Sequence, residues 1–282
     1  MTEPLHLTEL HLTELHLYPI KSLGGLSVKQ WDIDPRGLRL DRRWMLVRPD
    51  GRLHTQRESP TLRLLRVTIE AEGLQVHAPD RPSLRVPFHP EGAARIVTVW
   101  SDETVGIVVS AACDRWFSDY LRCPVSLVFM PEDAERWQEN LPYRSRLSFA
   151  DGNPFHLVNE SSVADLSRAS GRILRPADLR PNLVVRGPQP YAEDYWRRIR
   201  IGSVEFDVVE SCARCGVINI DDRARVTPEP LRTLARTRRI GDALPFGQNM
   251  VQAAPPEQRT GTLGVGDPVE VLAVGDTPNP MY

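Results

Sequence analysis

The stretch Val204-Glu205-Phe206-Asp207-Val208-Val209-Glu210-Ser211-Cys212-Ala213-Arg214-Cys215-Gly216-Val217-Ile218-Asn219-Ile220 sets an alternating run, a cysteine pair and a second apolar run end to end. Apolar and acidic residues alternate from Val204 to Val209, which predicts a strand with one buried face. Val217 to Ile220 is β-branched and predicts another strand, so strands dominate this half of the chain. Cys212 and Cys215 have the spacing of a dithiol redox site or of half a zinc site. A dithiol site of the thioredoxin type opens a helix after a strand, and the predicted flanking strands argue against it. A structural zinc site normally needs four ligands. Cys113 and Cys123 lie on and after a predicted helix, and no histidine falls between residues 157 and 282, so zinc is disfavoured. Spacing alone then leaves two buried cysteines packed as small hydrophobes level with a functional thiolate. Arg214 favours function, because a neighbouring guanidinium lowers a thiol's pKa and promotes the thiolate.

Working outward, Glu229 to Arg238 reads as a helix with Pro230 in its first turn, and Val269 to Leu272 as a strand. Upstream, Val184-Val185 reads as a strand. Ser161 to Ala169 reads as a helix, with Ser161 or Ser162 near its start and Asp165 in its early turns. Ala112, Trp116, Tyr120 and Leu121 fall at helical spacing over residues 111 to 122, closed by Pro124. From Leu15 to about Val99 the chain is a series of short strands. Leu15 to Ile20 alternates and breaks, Trp44 to Arg48 ends at the turn Pro49-Asp50-Gly51, and Leu64 to Ile69 passes through Glu72-Gly73 to Leu74 to His77. The polar break Met130-Pro131-Glu132-Asp133 places a module boundary near residues 125 to 135. The fold class is α+β and β-rich.

The chain has 282 residues, 41% hydrophobic and 26% charged, enough for a packed core without disulfides. Its 35 basic and 37 acidic residues nearly cancel, which argues against a nucleic-acid or anionic-membrane partner. Any anion site is therefore local. Arginine far outnumbers lysine, which suits bidentate contacts to phosphate, although a codon bias toward arginine is the better explanation of the total. The 25 prolines favour turns and strand edges. The start of the chain lacks a signal-peptide pattern, and no run approaches the ~18 apolar residues of a membrane span. Four cysteines without such a signal point to a reducing, cytoplasmic setting. Leu7-Thr8-Glu9-Leu10-His11 is repeated as Leu12-Thr13-Glu14-Leu15-His16. Its five-residue period suits neither helix nor strand, and His6, His11 and His16 read as strand-edge polar residues rather than a metal tract.

Several motifs in one order carry a family resemblance. Ser211-Cys212-Ala213-Arg214-Cys215, Ile220-Asp221, Glu229-Pro230-Leu231-Arg232-Thr233-Leu234, Phe246-Gly247-Gln248 and Gly264-Val265-Gly266-Asp267-Pro268-Val269 resemble the signature of a MOSC domain. Tyr18-Pro19-Ile20-Lys21-Ser22, Asp41-Arg42-Arg43-Trp44 and Thr55-Gln56-Arg57 resemble the β-barrel module that precedes it. The match runs over roughly residues 15 to 273, and its layout is similar to the mitochondrial amidoxime-reducing components and their bacterial counterparts. It implies an N-terminal β-barrel module over residues 1–125. A MOSC β-barrel with flanking helices would follow over residues 126–282, its cofactor site receiving contributions from the first module.

The resemblance also implies a molybdenum cofactor, a pyranopterin with a dithiolene and a terminal phosphate. Cys215 matches the family's metal-binding cysteine, a soft thiolate suited to a thiophilic metal. Cys212 matches a position without that role, while Ala213 and Arg214 of the same turn, and Asn249 further on, are expected to contact the cofactor. Lys21, Ser22 and Arg42 match positions that grip the phosphate and pterin, and each is chemically apt. Taken alone, Lys21-Ser22 before two glycines is a common turn and Asp41-Arg42 a surface ion pair. Asp151, Gly152 and Asn153 match a loop beside the pterin in which relatives carry hydroxyl residues after the aspartate. Arg180 and Asn182 match another cofactor-side motif, although a buried arginine satisfying strand-end carbonyls is the plain alternative for Arg180. Two more departures stand out. Asp222-Arg223-Ala224-Arg225 replaces a Pro-x-Thr-Gly turn, and Asn249 stands where close relatives place an aromatic.

The implied reaction is reductive. An N-hydroxylated or N-oxygenated small molecule gives up its oxygen with two electrons and two protons and leaves as the amine or amidine. Asp151 acting through a water is a candidate proton donor, with a structural hydrogen-bond role equally open. No cysteine follows Cys215 to hold an iron–sulfur cluster, so a separate electron donor is implied, a ferredoxin, flavoprotein or cytochrome-type reductase. Two alternatives share the cofactor pocket: a molybdenum-cofactor carrier, and a sulfur-transfer protein using a Cys215 persulfide. Pyridoxal phosphate binding is not expected.

Overall fold

Eight strands hydrogen-bond into one sheet in the order Leu26–Val28, His11–Leu17, Leu183–Arg186, Phe155–Asn159, Pro245–Gln252, Val204–Ala213, Trp196–Ile201 and Val269–Val274. This computed structural model describes residues 10–140, 143–187 and 189–281. The pairing of Phe155–Asn159 with Leu183–Arg186 is parallel, and the helix Glu160–Ser170 lies in the crossover between them. The other pairs in this sheet are antiparallel. The far edge returns to the first strand: His11 bridges Pro268, the Leu12 N–H donates to the Asp267 carbonyl at 2.9 Å, and the Val269 N–H donates to the Leu10 carbonyl at 2.8 Å. These contacts roll the sheet into a barrel, which protects edges that would otherwise template aggregation. The inward residues of its strands form one core, including Leu12, Leu15, Leu157, Leu183, Val208 and Met250, with Phe155 edge-on to Phe206 at 5.1 Å.

A second β-rich body is made from residues between the first barrel strand and the later ones. Trp44–Val47, Ser126–Phe129, Asp102–Val108 and Ala94–Val99 form a four-stranded sheet, beside the meander Arg66–Glu70, Gly73–His77 and Leu84–Pro87. The helix Ala111–Leu121 buries Cys113 and Phe117 against this body. Ser110 caps that helix by accepting the Cys113 N–H at 3.1 Å, and Arg122 ends it in a left-handed conformation ahead of Pro124. Ile20 bridges Trp44, and the Lys21 N–H donates to the Trp44 carbonyl at 2.8 Å. The segment leaving the first barrel strand is thereby stapled to the second body, with Lys21 and Ser22 at the junction.

The molecule is α+β and mostly β, with three α-helices among the described residues. Several boundaries differ from expectation. Val217 to Ile220 is not a strand: Gly216–Asn219 is a 3₁₀ turn, and Ile220 makes only an isolated bridge to Val226. Asn219 ties the turn down by accepting the Leu231 N–H on its side chain at 3.0 Å and the Thr227 N–H on its carbonyl at 2.9 Å. Ile218 is buried in the core shared by the helices Glu160–Ser170 and Leu231–Thr237. The latter helix begins after Pro230, which stands at its cap. The helix expected from Ser161 starts at Glu160, because Asn159 caps it by accepting the Ser161 N–H at 3.1 Å. Leu64 closes a 3₁₀ turn, Pro60–Leu64, and the strand there is Arg66–Glu70. His16 is buried, held by Glu14 at 2.7 Å and Ser27 at 3.0 Å, rather than lying at a polar edge. His6 and the opening of the repeat, Leu7 to Glu9, lie outside the described residues. Among the described residues no helix is long and apolar enough to cross a membrane.

Candidate functional site

All twelve expected site residues line one cavity of about 310 Å³ between the two bodies: Lys21, Ser22, Arg42, Asp151, Gly152, Asn153, Arg180, Asn182, Ala213, Arg214, Cys215 and Asn249. They come from both halves of the chain. A larger hollow of about 750 Å³ lies beyond Arg180 and contains none of the other eleven. Its charges are largely paired with one another, Arg63 and Arg175 with Asp178 and His16 with Glu14.

The basic wall is anchored from beneath. Lys21 is buried and donates to the Phe149 carbonyl at 2.7 Å and to Asp151 Oδ1 at 2.6 Å. Arg136, also buried, donates to the carbonyls of Ser148 at 3.0 Å and Ala150 at 2.6 Å, which fixes the loop carrying Asp151 and Gly152. Trp100 closes the rim, its indole N–H on Asp151 Oδ1 at 2.8 Å and the Arg57 guanidinium over its ring at 4.4 Å. Burial lowers the pKa of Lys21, and the neighbouring Asp151 carboxylate opposes that shift. For Asp151 burial acts upward, but the charge and hydrogen bond of Lys21 outweigh it and hold the carboxyl well below the usual range. Asp151 is therefore ionised at neutral pH, which removes it as a proton donor and leaves the structural hydrogen-bond role.

Beside it, Arg42 and Arg180 stack on the buried Tyr18 ring, at 4.5 and 4.4 Å from its centre. Arg42 also pairs with Asp41 and donates to Asn182 Oδ1 at 3.1 Å. Arg180 donates to the Leu23 carbonyl at 2.7 Å while lining the cavity, so it does satisfy a buried carbonyl. Burial lowers its pKa to about 10, and it stays charged at neutral pH. Ser22, Arg42 and Arg180 have φ of +72°, +50° and +58°. That region is disfavoured for residues with a Cβ, and such backbone persists where surrounding contacts over-determine it.

At the cysteine turn, Arg214 serves the other sulfur. Its guanidinium donates to Cys212 Sγ at 3.1 Å and to the Leu179 carbonyl at 2.6 Å, and lies 3.3 Å from His156 Nε2. Arg214 therefore acts on Cys212 and not on Cys215, and burial nonetheless raises the Cys212 thiol pKa against the arginine's effect. Arginine only donates, so the contact requires His156 Nε2 to be the acceptor of a neutral ring. Burial, then the charge of Arg214, pushes the His156 pKa well below its ordinary value. Cys215 is half-buried on the cavity wall, and the space around Gly152 and Gly216 is open where a Cβ would project.

The lining residues outside the expected set include Gln56, Arg57, Trp100, His156 and Glu210. Gln56 and Arg57 belong to a motif already quoted, and Gln56 donates to the Ser22 carbonyl. Glu210 Oε1 accepts the side-chain N–H of Asn153 at 2.8 Å and of Asn249 at 2.9 Å. The sequence hint was an acidic residue beside the cysteine turn, in a strand whose pairing register is not visible from sequence. The replaced turn after Asp221 closes on itself: Asp221 Oδ1 accepts the Arg223 and Arg225 N–H groups at 2.9 and 2.8 Å, and Ala224 takes φ +58°.

Residues 9–124 match the MOSC N-terminal beta barrel domain and residues 144–270 the MOSC domain. Mitochondrial amidoxime reducing component 2 of Rattus norvegicus is 30% identical over 89% of this chain and 80% of its own length. Mitochondrial amidoxime-reducing component 1 of Homo sapiens is 30% identical over 90% of this chain and 81% of its own. Molybdenum cofactor sulfurase of Arabidopsis thaliana is 30% identical over 89% of this chain, which spans 34% of that protein. By domain content and by similarity along most of its length, the chain belongs to the family of MOSC-domain proteins that includes the mitochondrial amidoxime-reducing components.

Proposed function

We propose that the cavity binds a molybdenum cofactor and that the protein reduces N-hydroxylated or N-oxygenated small molecules with electrons from a separate donor protein. The observation that carries this reading is the convergence of all twelve expected residues on one cavity with a strongly basic wall. The donor set fits the group. Lys21, Arg42 and Arg180 offer charge and N–H groups to a phosphate, backbone at Gly152 and Asn153 offers donors to a pterin, and Cys215 offers one soft sulfur. Arg214 Nε and Gln56 Oε1 are buried in the wall of the same cavity without a hydrogen-bond partner among the described residues, which suits polar ligand atoms. Among the described residues no cluster of three or more His, Cys, Asp or Glu gathers as a metal site, so a metal here needs ligands beyond the protein's.

When bound, the cofactor supplies the two-electron chemistry. The chain's own part is positioning. The loop from Phe149 to Gly152, clamped by Lys21 and Arg136, holds one side of the pocket rigid. Arg214 is fixed by Cys212 and Leu179, which orients the turn that presents Cys215. Protons for the departing oxygen come from solvent, because Asp151 is ionised and His156 neutral at working pH.

The test is Cys215→Ala purified with its molybdenum and pterin content measured. Product formation from an N-hydroxylated amidine should fall to background, and an unchanged rate at equal cofactor content would overturn the assignment. The similarity to a molybdenum cofactor sulfurase supports a second reading, a Cys215 persulfide. That protein would release thiocyanate on treatment with cyanide and form no amidine.

A further inference from the structure

The repeated pentad near the start of the chain supplies polar side chains that the cofactor cavity does not use. Its second copy, Leu12-Thr13-Glu14-Leu15-His16, puts Glu14 and His16 two residues apart on one face of the strand His11–Leu17. Ser27 stands opposite His16 on the edge strand Leu26–Val28. The His16 backbone is bonded on its other side, where its N–H donates to the Asn182 carbonyl at 2.8 Å and its carbonyl accepts the Asn182 side chain at 3.3 Å. His16 and Ser27 are therefore a non-hydrogen-bonded pair, the kind whose side chains come closest. Ser27 Oγ lies 3.0 Å from His16 Nδ1, and His16 Nε2 lies 2.7 Å from Glu14 Oε2. The histidine is buried, the glutamate half-buried and the serine exposed. All three line the hollow of about 750 Å³, which shares only Arg180 with the cofactor cavity.

We propose that Ser27, His16 and Glu14 form a separate hydrolytic site that cleaves carboxylic esters carrying an anionic group. A carboxylate only accepts, so Glu14 draws the ring proton to Nε2, and Nδ1 is left to accept the Ser27 hydroxyl. This is the chain of nucleophile, base and orienting acid that activates a serine. Ser27 Oγ attacks the ester carbonyl carbon as its proton passes to His16 Nδ1. The bond from that carbon to the alcohol oxygen breaks, and His16 gives the proton to the departing oxygen. Water then attacks the acyl-serine carbon while losing a proton to His16. That proton returns to Ser27 Oγ as the acid leaves, so the sum is ester and water to acid and alcohol. Glu14 is a positioning residue that holds the ring and stabilises the imidazolium. With His16 bonded to Asn182, the Ser27 N–H points to the open edge of the sheet, where it can donate to the oxyanion. The wall selects charge. Arg66, on the adjacent strand Arg66–Glu70, and Arg180 have no ion pair among the described residues, whereas Arg63 and Arg175 share Asp178. The Tyr18 hydroxyl is buried in this wall without a hydrogen-bond partner among the described residues, which suits a polar ligand atom.

The experiment treats the purified full-length protein with a fluorophosphonate and maps the adduct by mass spectrometry. It then follows two p-nitrophenyl esters, the anionic hemiadipate and the neutral hexanoate. The adduct should fall on Ser27, and wild type should favour the hemiadipate by at least about tenfold in kcat/KM. Ser27→Ala should abolish both the adduct and turnover. Glu14→Gln should lower kcat by about a hundredfold or more with KM unchanged, a split that a merely structural role would not give. Arg66→Ala should bring the two esters to within about threefold of each other. A missing Ser27 adduct, hydrolysis that survives Ser27→Ala, or equal rates on the two esters overturns the proposal. So does a wild-type kcat in Glu14→Gln. Ser27 is exposed, so its alanine variant keeps the test decisive even where a change at Glu14 disturbs folding. The hydrolysis needs no metal, and its outcome is read independently of molybdenum content.

Discussion

His156 in the cavity wall and Glu193 against the helix Glu160–Ser170 are both displaced by burial from their ordinary titration, with opposite consequences for stability. The His156 pKa lies well below 6.5 in the folded protein, through burial and then Arg214. The unfolded chain therefore binds the extra proton first, and stability falls as pH drops below about 6.5. Glu193 is raised to about 7 by burial, against hydrogen bonds from Ser162 and Asn159 that act the other way. Here the folded state binds the extra proton, so its contribution is present in full below about 4.3 and is lost as pH rises through 7. Thermal melts from pH 5 to 7 should separate the two. Relative to wild type, His156→Gln gains as pH falls and Glu193→Gln gains as pH rises, and parallel curves would contradict both assignments. At this scale the site was legible only through motif order. Lys21, Arg42 and Cys215 stand in quoted motifs, whereas His156 and Glu210 act through partners on other strands, and no local pattern announces such pairings.

Between residue and molecule, the parallel strand–helix–strand unit from Phe155 to Arg186 depends on Asn159. Its Oδ1 accepts the N–H groups of Ser161 and Gly187, both at 3.1 Å, and its Nδ2 donates to the Gln189 carbonyl at 2.9 Å and to Glu193 at 3.1 Å. Asn159→Ala removes a helix cap and strands buried partners, so chemical denaturation should show a loss of about 2–4 kcal/mol. A loss under about 1 kcal/mol would mean the cap matters and the buried network does not. Some elements were legible from periodicity, including the helix Ala111–Leu121 with its proline stop, whereas the barrel strands Phe155–Asn159, Trp196–Ile201 and Pro245–Gln252 were not. Val217 to Ile220 was not, because a four-residue apolar run reads alike in a strand and in a turn plugged into a core. Asn219's hydrogen bonds to Thr227 and Leu231 decide between them, and those partners lie too far along the chain to be read locally.

In the whole molecule, the first strand belongs to the barrel of the second half. His11–Leu17 pairs with Leu183–Arg186 and closes against Pro268, and Leu12, Leu15 and Leu17 are fully buried in that core. We retain residues 1–125 and 126–282 as a proposed division into modules, and expect them not to fold separately. A fragment of residues 126–282 lacks this strand and should show no cooperative thermal transition. Supplying residues 1–125 in trans should restore one. Leu15→Ala in the full chain should cost about 2–5 kcal/mol. A sequence scan finds the β-rich class and the order of motifs, but barrel closure pairs residues more than 250 positions apart and is visible only in three dimensions. The cavity lies where that closure brings the loops of both bodies together. If this cavity binds a molybdenum cofactor, metal analysis with pterin fluorescence on freshly purified protein from a cofactor-replete host finds molybdenum and pterin together in near-equal amount to protein, with the metal lost or weakened in Cys215→Ala. Protein free of both, from such a host, would contradict that assignment.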